Sequence, residues 1–232
     1  MIEVRKVSKM LAGMAVLEDV DFVVPDSGGV VILGRTGAGK SVLLRVMAGL
    51  LAPDSGVVAF DGRLLEFGPL ADNSEAMEQL GYVFQGGALF DWLSVVENVA
   101  LPLMESRRTG RRKAVEAAQR VLWRVGLADA AGFRPRELSG GMTKLAAIAR
   151  ALVADPKYVF YDEPTAGLDP ITRDRVCGLI RELRDTESRA SVVVTHDLET
   201  VRRLGGQVFM LRRGRLLPVS DVRKEDYEPE CA

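Results

Sequence analysis

A glycine-rich loop near the N-terminus limits the possible folds of this 232-residue chain. The loop fits the pattern G-x-x-x-x-G-K-[S/T] at every position. An unbroken apolar run, Val30–Leu33, comes immediately before it, and Ser41–Leu50 repeats apolar side chains at helical spacing after it. This context predicts a buried strand, a tight loop and a helix in direct succession. The loop consists of Gly34, Arg35, Thr36, Gly37, Ala38, Gly39, Lys40 and Ser41.

The composition of this loop predicts a phosphate site. Glycines let successive backbone N–H groups turn toward phosphate oxygens, and the N-terminus of the following helix adds positive potential. The Lys40 ammonium would contact the β- and γ-phosphates, and the Ser41 hydroxyl would be a ligand of Mg²⁺. Because a strand precedes the loop and a helix follows it, we interpret the loop as a site for ATP and Mg²⁺ rather than a chance glycine-rich turn.

Two adjacent acids follow another apolar run. The strand predicted over Tyr158–Tyr161 leads directly into Asp162 and Glu163. At the carboxyl end of a parallel strand these side chains would lie beside the glycine-rich loop. Asp162 would hold the metal through water, and Glu163 would orient and deprotonate an attacking water. An ordinary strand-end loop is the alternative interpretation of this pair.

The single histidine of the chain, His196, also follows a predicted core strand. That strand is the apolar run Ser191–Thr195, so His196 would emerge at the same sheet edge as Asp162. A lone histidine is usually a surface or core residue. Its place after a core strand favours a position near the γ-phosphate.

The order of predicted elements indicates an α/β fold. Apolar strands alternate with amphipathic helices, which is typical of a doubly wound, mostly parallel core sheet of the P-loop NTPase (RecA-like) type. Short strands in the first sixty residues predict a separate N-terminal antiparallel β-subdomain. The further strands and the helices are expected at Ile2–Val7, Val20–Val24, Val57–Phe60, Tyr82–Phe84, Gln207–Leu211 and Arg215–Val219, and at Ala114–Val125, Gly141–Val153 and Ile171–Asp185.

The helices of the middle region interrupt the strand–helix alternation. We therefore expect one domain over residues 1–220, with a helical subdomain inserted at about 86–154. Residues 221–232 are polar and acidic and are expected to form a loose tail.

Composition excludes several classes of protein. The chain is 47% hydrophobic and 27% charged, as in folded globular proteins. Its 31 Lys and Arg nearly balance 32 Asp and Glu, so no overall field attracts nucleic acid or anionic membrane. No apolar run approaches the roughly 18 residues of a membrane span, and the N-terminus does not resemble a secretory signal. We expect a cytoplasmic protein, held at any membrane by a partner, with Cys177 and Cys231 as free thiols.

A basic cluster, Arg107–Lys113, is the local exception to this charge balance. Charged loops at helix starts are usually solvated, and we interpret the cluster in that way. Attraction to a membrane surface and contact with nucleic acid are the alternatives.

The segment Leu138-Ser139-Gly140-Gly141-Met142 resembles the signature motif of ABC ATPases. The other motifs of that family occur in the family's order: Gln85 after a strand, Gly167-Leu168-Asp169 after the acidic pair at Glu163, and then His196. The resemblance runs from residue 34 to residue 196. It excludes a plain P-loop kinase, which has no such signature, and implies an ABC-type helical subdomain.

The resemblance implies a head-to-tail homodimer. Each ATP would lie between the glycine-rich loop of one subunit and the signature of the other. Ser139, Gly140 and Gly141 would therefore bind the γ-phosphate across the dimer, at a helix N-terminus. Asp169 would couple the two sites.

Within each subunit, the resemblance implies that Glu163 is the catalytic base and that His196 contacts the γ-phosphate. Gln85 would be a ligand of Mg²⁺ and would begin the segment Gln85–Leu93, which would contact a transmembrane permease. Phe90 and Trp92 make that segment unusually apolar. We expect them to line a groove for a short helix of the permease, with packing inside the helical lobe as the alternative.

Three residues depart from the family pattern. The aromatic residue that usually stacks on adenine aligns near Leu11, so we expect adenine contact to be weaker or supplied differently. Val42 takes the place of a Thr or Ser, which removes a hydroxyl near the α-phosphate. Met142 replaces the usual Gln at the end of the signature.

Short phrases also resemble the ATPase subunits of Mla-type, Mce-associated phospholipid transporters. They are the signature ending in Met142, Gly87–Phe90, Asn98–Leu103 and Asp169–Thr172. This implies lipid transport between bacterial membranes, an Mce-type lipid-binding protein in the complex, and a place on the cytoplasmic face of the inner membrane. Another ABC importer or an extruder, including lipoprotein-releasing types, is the alternative. A soluble mechanochemical ABC protein is disfavoured, because the chain has one nucleotide domain.

Overall fold

A computed structural model describes residues 1–68, 70–105 and 109–219. Its described strands are β1 Ile2–Leu11, β2 Met14–Val24, β3 Gly28–Leu33, β4 Ser55–Phe60, β5 Arg63–Leu64, β6 Leu80–Val83, β7 Tyr158–Asp162, β8 Ala190–Thr195, β9 Gln207–Arg212 and β10 Arg215–Val219. Its described helices are α1 Lys40–Met47, α2 Ser74–Glu78, α3 Val95–Glu105, α4 Arg111–Arg124, α5 Gly140–Leu152, α6 Pro170–Glu187 and α7 Leu198–Leu204.

The larger sheet has six strands in the order β10-β9-β3-β8-β7-β6. Its central pairings are parallel, and β10 closes one edge by an antiparallel hairpin with β9. Every residue of β8 is buried, as expected for a parallel strand covered by helices on both faces. The carboxyl ends of β3, β8, β7 and β6 therefore meet along one edge.

This sheet separates two apolar cores. Side chains alternate across a strand, so Val31 and Leu33 of β3 pack with the helices α3 to α6. Val30 and Ile32 pack on the other face with α1 and the smaller sheet. That smaller sheet is antiparallel and has the order β2-β1-β4-β5. The α/β fold with an antiparallel N-terminal sheet agrees with the prediction.

The structure changes the bounds of several predicted elements. Helix α1 ends at Met47, three residues before the predicted end at Leu50, because the chain turns at Gly49 with a φ of 69°. Strands β1 and β2 are longer than predicted, because register shifts after Val4 and Val7 interrupt the side-chain alternation that sequence reasoning follows. Helix α6 runs two residues beyond Asp185, and the predicted strand at Tyr82–Phe84 lies at Leu80–Val83 instead. Helices α2 and α7 were not predicted, since each is shorter than the periodicity signal needs.

The helices α3, α4 and α5 occupy the predicted helical region, and the division of the chain at 86–154 stays a prediction. The predicted tail, residues 221–232, lies outside the described residues, as do Arg107 and Arg108 of the basic cluster. The cluster's described members Arg111, Arg112 and Lys113 begin α4 and are exposed. Within the described ranges, no helix has the length and apolarity to cross a membrane.

Candidate active site

The glycine-rich loop joins the end of β3 to α1. Gly37 and Gly39 take φ values of 82° and 98°, a region that L side chains rarely adopt. A Cβ on Gly39 would also lie 2.7 Å from Cγ1 of Val16 in β2, so the smaller sheet touches the loop at this point. These constraints fix the path by which the loop enters α1, and the first N–H groups of a helix have no partner within it, so this end of α1 suits an anion.

The Lys40 side chain is only 5% exposed and has three oxygen partners. Its ammonium donates to the carbonyl of Gly34 at 2.8 Å and to that of Arg35 at 3.1 Å. It also lies 3.2 Å from Oε1 of Glu163, which is likewise buried. The predicted charge of the phosphate site is therefore held at the sheet edge and paired with the predicted base.

Ser41 and Asp162 form the second contact of the site. The Ser41 hydroxyl donates to Oδ1 of Asp162 at 2.7 Å. Burial raises the pKa of Asp162 above its usual value, although the bond from Ser41 and the nearby Arg45 and Lys40 oppose this. A cation beside this carboxylate would therefore offset the free-energy cost of burying its negative charge.

The residues at this position fit Mg²⁺. Within the described part of the chain, no group of three or more His, Cys, Asp and Glu could hold a metal ion unaided. Mg²⁺ does not need such a group, because it usually takes one or two protein oxygens and completes its shell with phosphate and water. The adjacent oxygens of Ser41 and Asp162 supply that number.

Glu163 is held in an unusual backbone conformation. Its φ of 48° lies in the left-handed region, which costs a non-glycine residue on the order of 1 kcal/mol or more. Its N–H donates to the carbonyl of Val194 at 3.0 Å. Oε2 lies 2.9 Å from Nδ1 of His196 and 3.3 Å from the Thr195 hydroxyl. The carboxylate is thus held against the carboxyl end of β8, and a group so placed can accept a proton.

The signature residues lie at the start of α5. The Ser139 hydroxyl accepts a hydrogen bond from the Met142 N–H at 3.3 Å and so caps the helix. Ser139 and Gly140 are exposed. Gly141 approaches α6 so closely that a Cβ would lie 2.4 Å from Cγ2 of Thr172. An exposed, capped helix N-terminus is available to an anion outside this subunit.

Not all predicted site residues converge in one subunit. The structure brings together Lys40, Ser41, Asp162, Glu163 and His196. The hydrogen bonds of Ser139 and Asp169 are local, since Asp169 caps α6 through the N–H groups of residues 171 and 172. Leu11, expected near adenine, ends β1 and is exposed.

Gln85 stands two residues after β6 and is exposed. Its carbonyl accepts a hydrogen bond from Lys144 of α5. Sequence reasoning missed Lys144, which is 7% exposed in a helix whose following eight residues are mostly alanine, leucine and isoleucine. A lysine at the edge of an apolar helix segment was the available signal.

The loop after Gln85 is ordered by a buried amide. Asn98 accepts the N–H of Phe90 at 2.7 Å and donates to the carbonyls of Phe90, Leu93 and Ser94. The ring of Phe90 lies 4.9 Å from that of Trp92, which is 70% exposed. Phe90 lines a groove that also includes Tyr82, Phe84, Leu101, Pro102 and Leu103. Trp92 does not line this groove, and a contact of either residue with a permease stays a prediction.

Comparison with known proteins identifies the family. A family model described as ABC transporter matches residues 17–166. The chain is 38% identical to the protein TRIGALACTOSYLDIACYLGLYCEROL 3, chloroplastic, of Arabidopsis thaliana, over 94% of this chain and 67% of that protein. It is 36% identical to the methionine import ATP-binding protein MetN 1 of Rhodococcus jostii, over 98% and 69% of the two chains. It is 33% identical to the intermembrane phospholipid transport system ATP-binding protein MlaF of Haemophilus influenzae, over 91% and 80%.

The fold agrees with this assignment. The dimeric structure of a post-hydrolysis state of the ATP-binding cassette MJ0796, bound to ADP and Pi, superposes with a TM-score of 0.82. It is 30% identical to this chain, and the match covers 93% of this chain and 96% of that cassette. That cassette is dimeric. The chain belongs to the ABC transporter family, as an ATP-hydrolysing subunit.

Proposed function

We propose that this chain powers the movement of phospholipid between bacterial membranes through a separate permease. Similarity to the phospholipid transport protein MlaF, over 80% of that protein's length, carries the proposal. A second relative, TRIGALACTOSYLDIACYLGLYCEROL 3 of Arabidopsis thaliana, is also named after a lipid, and this similarity supports the same proposal. The permease would hold the chain on the cytoplasmic face of the inner membrane, and an Mce-type lipid-binding protein would complete the complex.

In the proposed reaction the glycine-rich loop holds the phosphates of ATP. The backbone N–H groups of the loop and the residue after it, Val42, face the phosphate chain, and Lys40 neutralises the β- and γ-phosphates. Bound Mg²⁺, held by Ser41 and Asp162 and contacted by Gln85, would offset the charge that develops on the phosphate oxygens.

The proposed hydrolytic step uses Glu163 and His196. Glu163 lies within reach of both Lys40 and His196. Phosphate oxygens would take its place at Lys40, which frees the carboxylate to accept a proton from the attacking water. His196, whose side chain is 45% exposed, would donate to the γ-phosphate. Ser139 and Gly140, which are exposed, would close the site of a second copy together with Gly141, and Asp169 would lie between the two sites.

The groove beside Phe90 is the proposed contact with the permease. Most of its lining side chains are apolar although it opens to solvent, and exposed apolar patches commonly mark partner surfaces. Asn98 holds the adjoining loop without a ligand. A groove that is already formed before binding suits the docking of a short, rigid helix.

The test is capture of the partners from detergent extract with the tagged chain. We expect a permease, an Mce-type protein and bound phospholipid, and we expect Phe90→Asp to lose all three while its thermal melt stays cooperative. Trp123→Asp is the matched control, because this tryptophan is 76% exposed on α4, outside the groove. Normal capture by Phe90→Asp would remove the groove from the proposal.

Import of a small solute is the second candidate. It is favoured by similarity to the methionine import protein over 98% of this chain. The two candidates differ in what stimulates hydrolysis by the captured complex. Added phospholipid stimulates it under the first, and methionine with a soluble binding protein stimulates it under the second. A captured complex without phospholipid would reject the first.

A further inference from the structure

Lys144 is a buried cation that the reaction described above does not use. It lies in the second turn of α5, and its side chain is 7% exposed. Its ammonium donates to two backbone carbonyls, that of Gln85 and, at 3.2 Å, that of Glu163. Burial lowers its pKa, and the nearby carboxylates of Asp162 and Glu163 oppose that shift. A buried charge placed between two loops of the site constrains both.

The contact with Glu163 falls on a strained peptide. The left-handed φ of Glu163 persists only because the surrounding structure fixes it. On the carbonyl side, the partners are the ammonium of Lys144 and, at 3.3 Å, the N–H of Ala166. Because the direction of the side chain depends on this backbone conformation, loss of Lys144 would let the carboxylate turn away from its working position.

The same helix carries the signature. Ser139 caps α5, and Lys144 follows it by little more than one turn. Farther along α5, Arg150 donates to the carbonyls of Gly87 and Ala88, at 2.8 Å and 2.5 Å. Two cations of one helix therefore hold the loop that begins at Gln85, and one of them also holds the residue after β7.

We propose that Lys144 is a positioning residue for hydrolysis: it sets the backbone of Glu163 and ties it to the Gln85 loop and the signature helix. A movement of α5, when its N-terminus meets the nucleotide of the partner subunit, then reaches the base of its own site. In this proposal Lys144 acts through the backbone and does not bind nucleotide. The proposal rests on the role of Glu163 given above.

The test compares Lys144→Met with Lys144→Arg in the full chain, alone and in the complex that it captures. The methionine keeps the length of the side chain and removes its charge. We expect turnover to fall on the order of 10²-fold, the effect of about 1 Å of misplacement, with the Kd for ATP within about threefold of wild type. Lys144→Arg should recover most of the turnover. Lys113→Met, an exposed lysine on α4, is the control.

A second measurement separates positioning from folding. The Glu163→Gln chain should form an ATP-bound dimer, and adding Lys144→Met should leave that dimer intact. Turnover of Lys144→Met near wild type overturns the proposal, and so does an equal loss of ATP affinity. If the methionine variant does not fold, Lys144→Leu, which has no donor for the two carbonyls, is judged by the same criteria. Normal turnover by Glu163→Gln alone would instead reject the assignment of Glu163 as the base. That outcome would not depend on the behaviour of the Lys144 variants.

Discussion

The carboxylate of Glu163 has a partner on each oxygen. Oε1 faces Lys40, and Oε2 faces His196 and the Thr195 hydroxyl. Breaking one side of a buried ion pair commonly costs several kcal/mol when a bare charge remains. At Lys40 the carbonyls of Gly34 and Arg35 limit that cost, because they stay in contact with the ammonium. The site therefore tolerates exchange of the carboxylate for another oxygen.

Glu163→Gln tests the base directly. The amide keeps the shape and still offers an oxygen to Lys40, but it cannot accept the proton of water. We expect ATP to bind while steady-state hydrolysis falls by about 10² to 10⁴-fold, the usual contribution of a general base. Glu182→Gln, an exposed position on α6, should hydrolyse ATP normally. A Glu163→Gln rate near wild type would show that another group takes the proton.

Individual side chains differed in how well the sequence located them. Lys40, Ser41, Asp162 and His196 follow apolar strands or the glycine-rich pattern, and the rule that parallel strands end at one edge brings them together. Lys144 lies 19 residues before Glu163, within a helix, and belongs to no motif that the sequence analysis used. Its contacts with Gln85 and Glu163 depend on how α5 packs, which no local pattern specifies.

Helices α5 and α6 meet at a contact that depends on a missing side chain. A Cβ on Gly141 would lie 2.4 Å from Cγ2 of Thr172, whereas a Cβ on Gly140 would have open space. Neither glycine takes a positive φ, so the backbone itself accepts alanine at both. The second signature glycine is therefore needed for the packing of two helices, in addition to its proposed role at the phosphate.

Gly141→Ala and Gly140→Ala should differ in stability without nucleotide. Overpacking costs typically about 1–3 kcal/mol, which corresponds to roughly 2–4 °C of Tm per kcal/mol in a chain of this size. We expect this loss for Gly141→Ala alone. Thr172→Ser removes Cγ2 and keeps the hydroxyl, so it should restore the Tm of Gly141→Ala. Equal melting of the two alanine variants would contradict the close contact.

Element positions followed the strength of their sequence patterns. The ends of the buried strands β3, β7 and β8 were predicted to within two residues, because these strands are unbroken apolar runs. Strands β1 and β2 were predicted too short, since their irregular register hides the alternation. The start of α5 was placed one residue late, because Ser139 caps the helix and makes Gly140 its first residue.

The whole molecule presents half of each proposed site. The glycine-rich loop and the signature lie on the same chain, but the hydrogen bonds of Ser139 are confined to its own helix. Two copies related head to tail would supply both halves twice, as a closed two-fold dimer requires. The similar cassette MJ0796 is dimeric.

Lys40→Ala and Ser139→Arg separate the two halves. Lys40→Ala removes a charge from the phosphate site of its own subunit, so monomer binding and hydrolysis should both fall. Ser139→Arg places a bulky cation at the exposed start of α5, so monomers should bind ATP normally while ATP-driven dimerisation fails. Titration with a fluorescent ATP analogue, followed by size-exclusion chromatography, measures both. Equal loss of monomer binding in the two variants would place Ser139 in its own subunit's site.

The ion pair of Lys40 and Glu163 also has a consequence for the end of each cycle. Departure of ADP and Pi would ordinarily leave a buried ammonium without a counterion, and such a state resists formation. Here a carboxylate is already within 3.2 Å of that ammonium, so product release becomes an exchange of one anion for another. With the roles proposed above, Glu163 would replace the outgoing phosphate at Lys40. The same exchange would return the subunit to its starting state and engage the proposed base in an ion pair, so the charges of the site would stay balanced between turnovers.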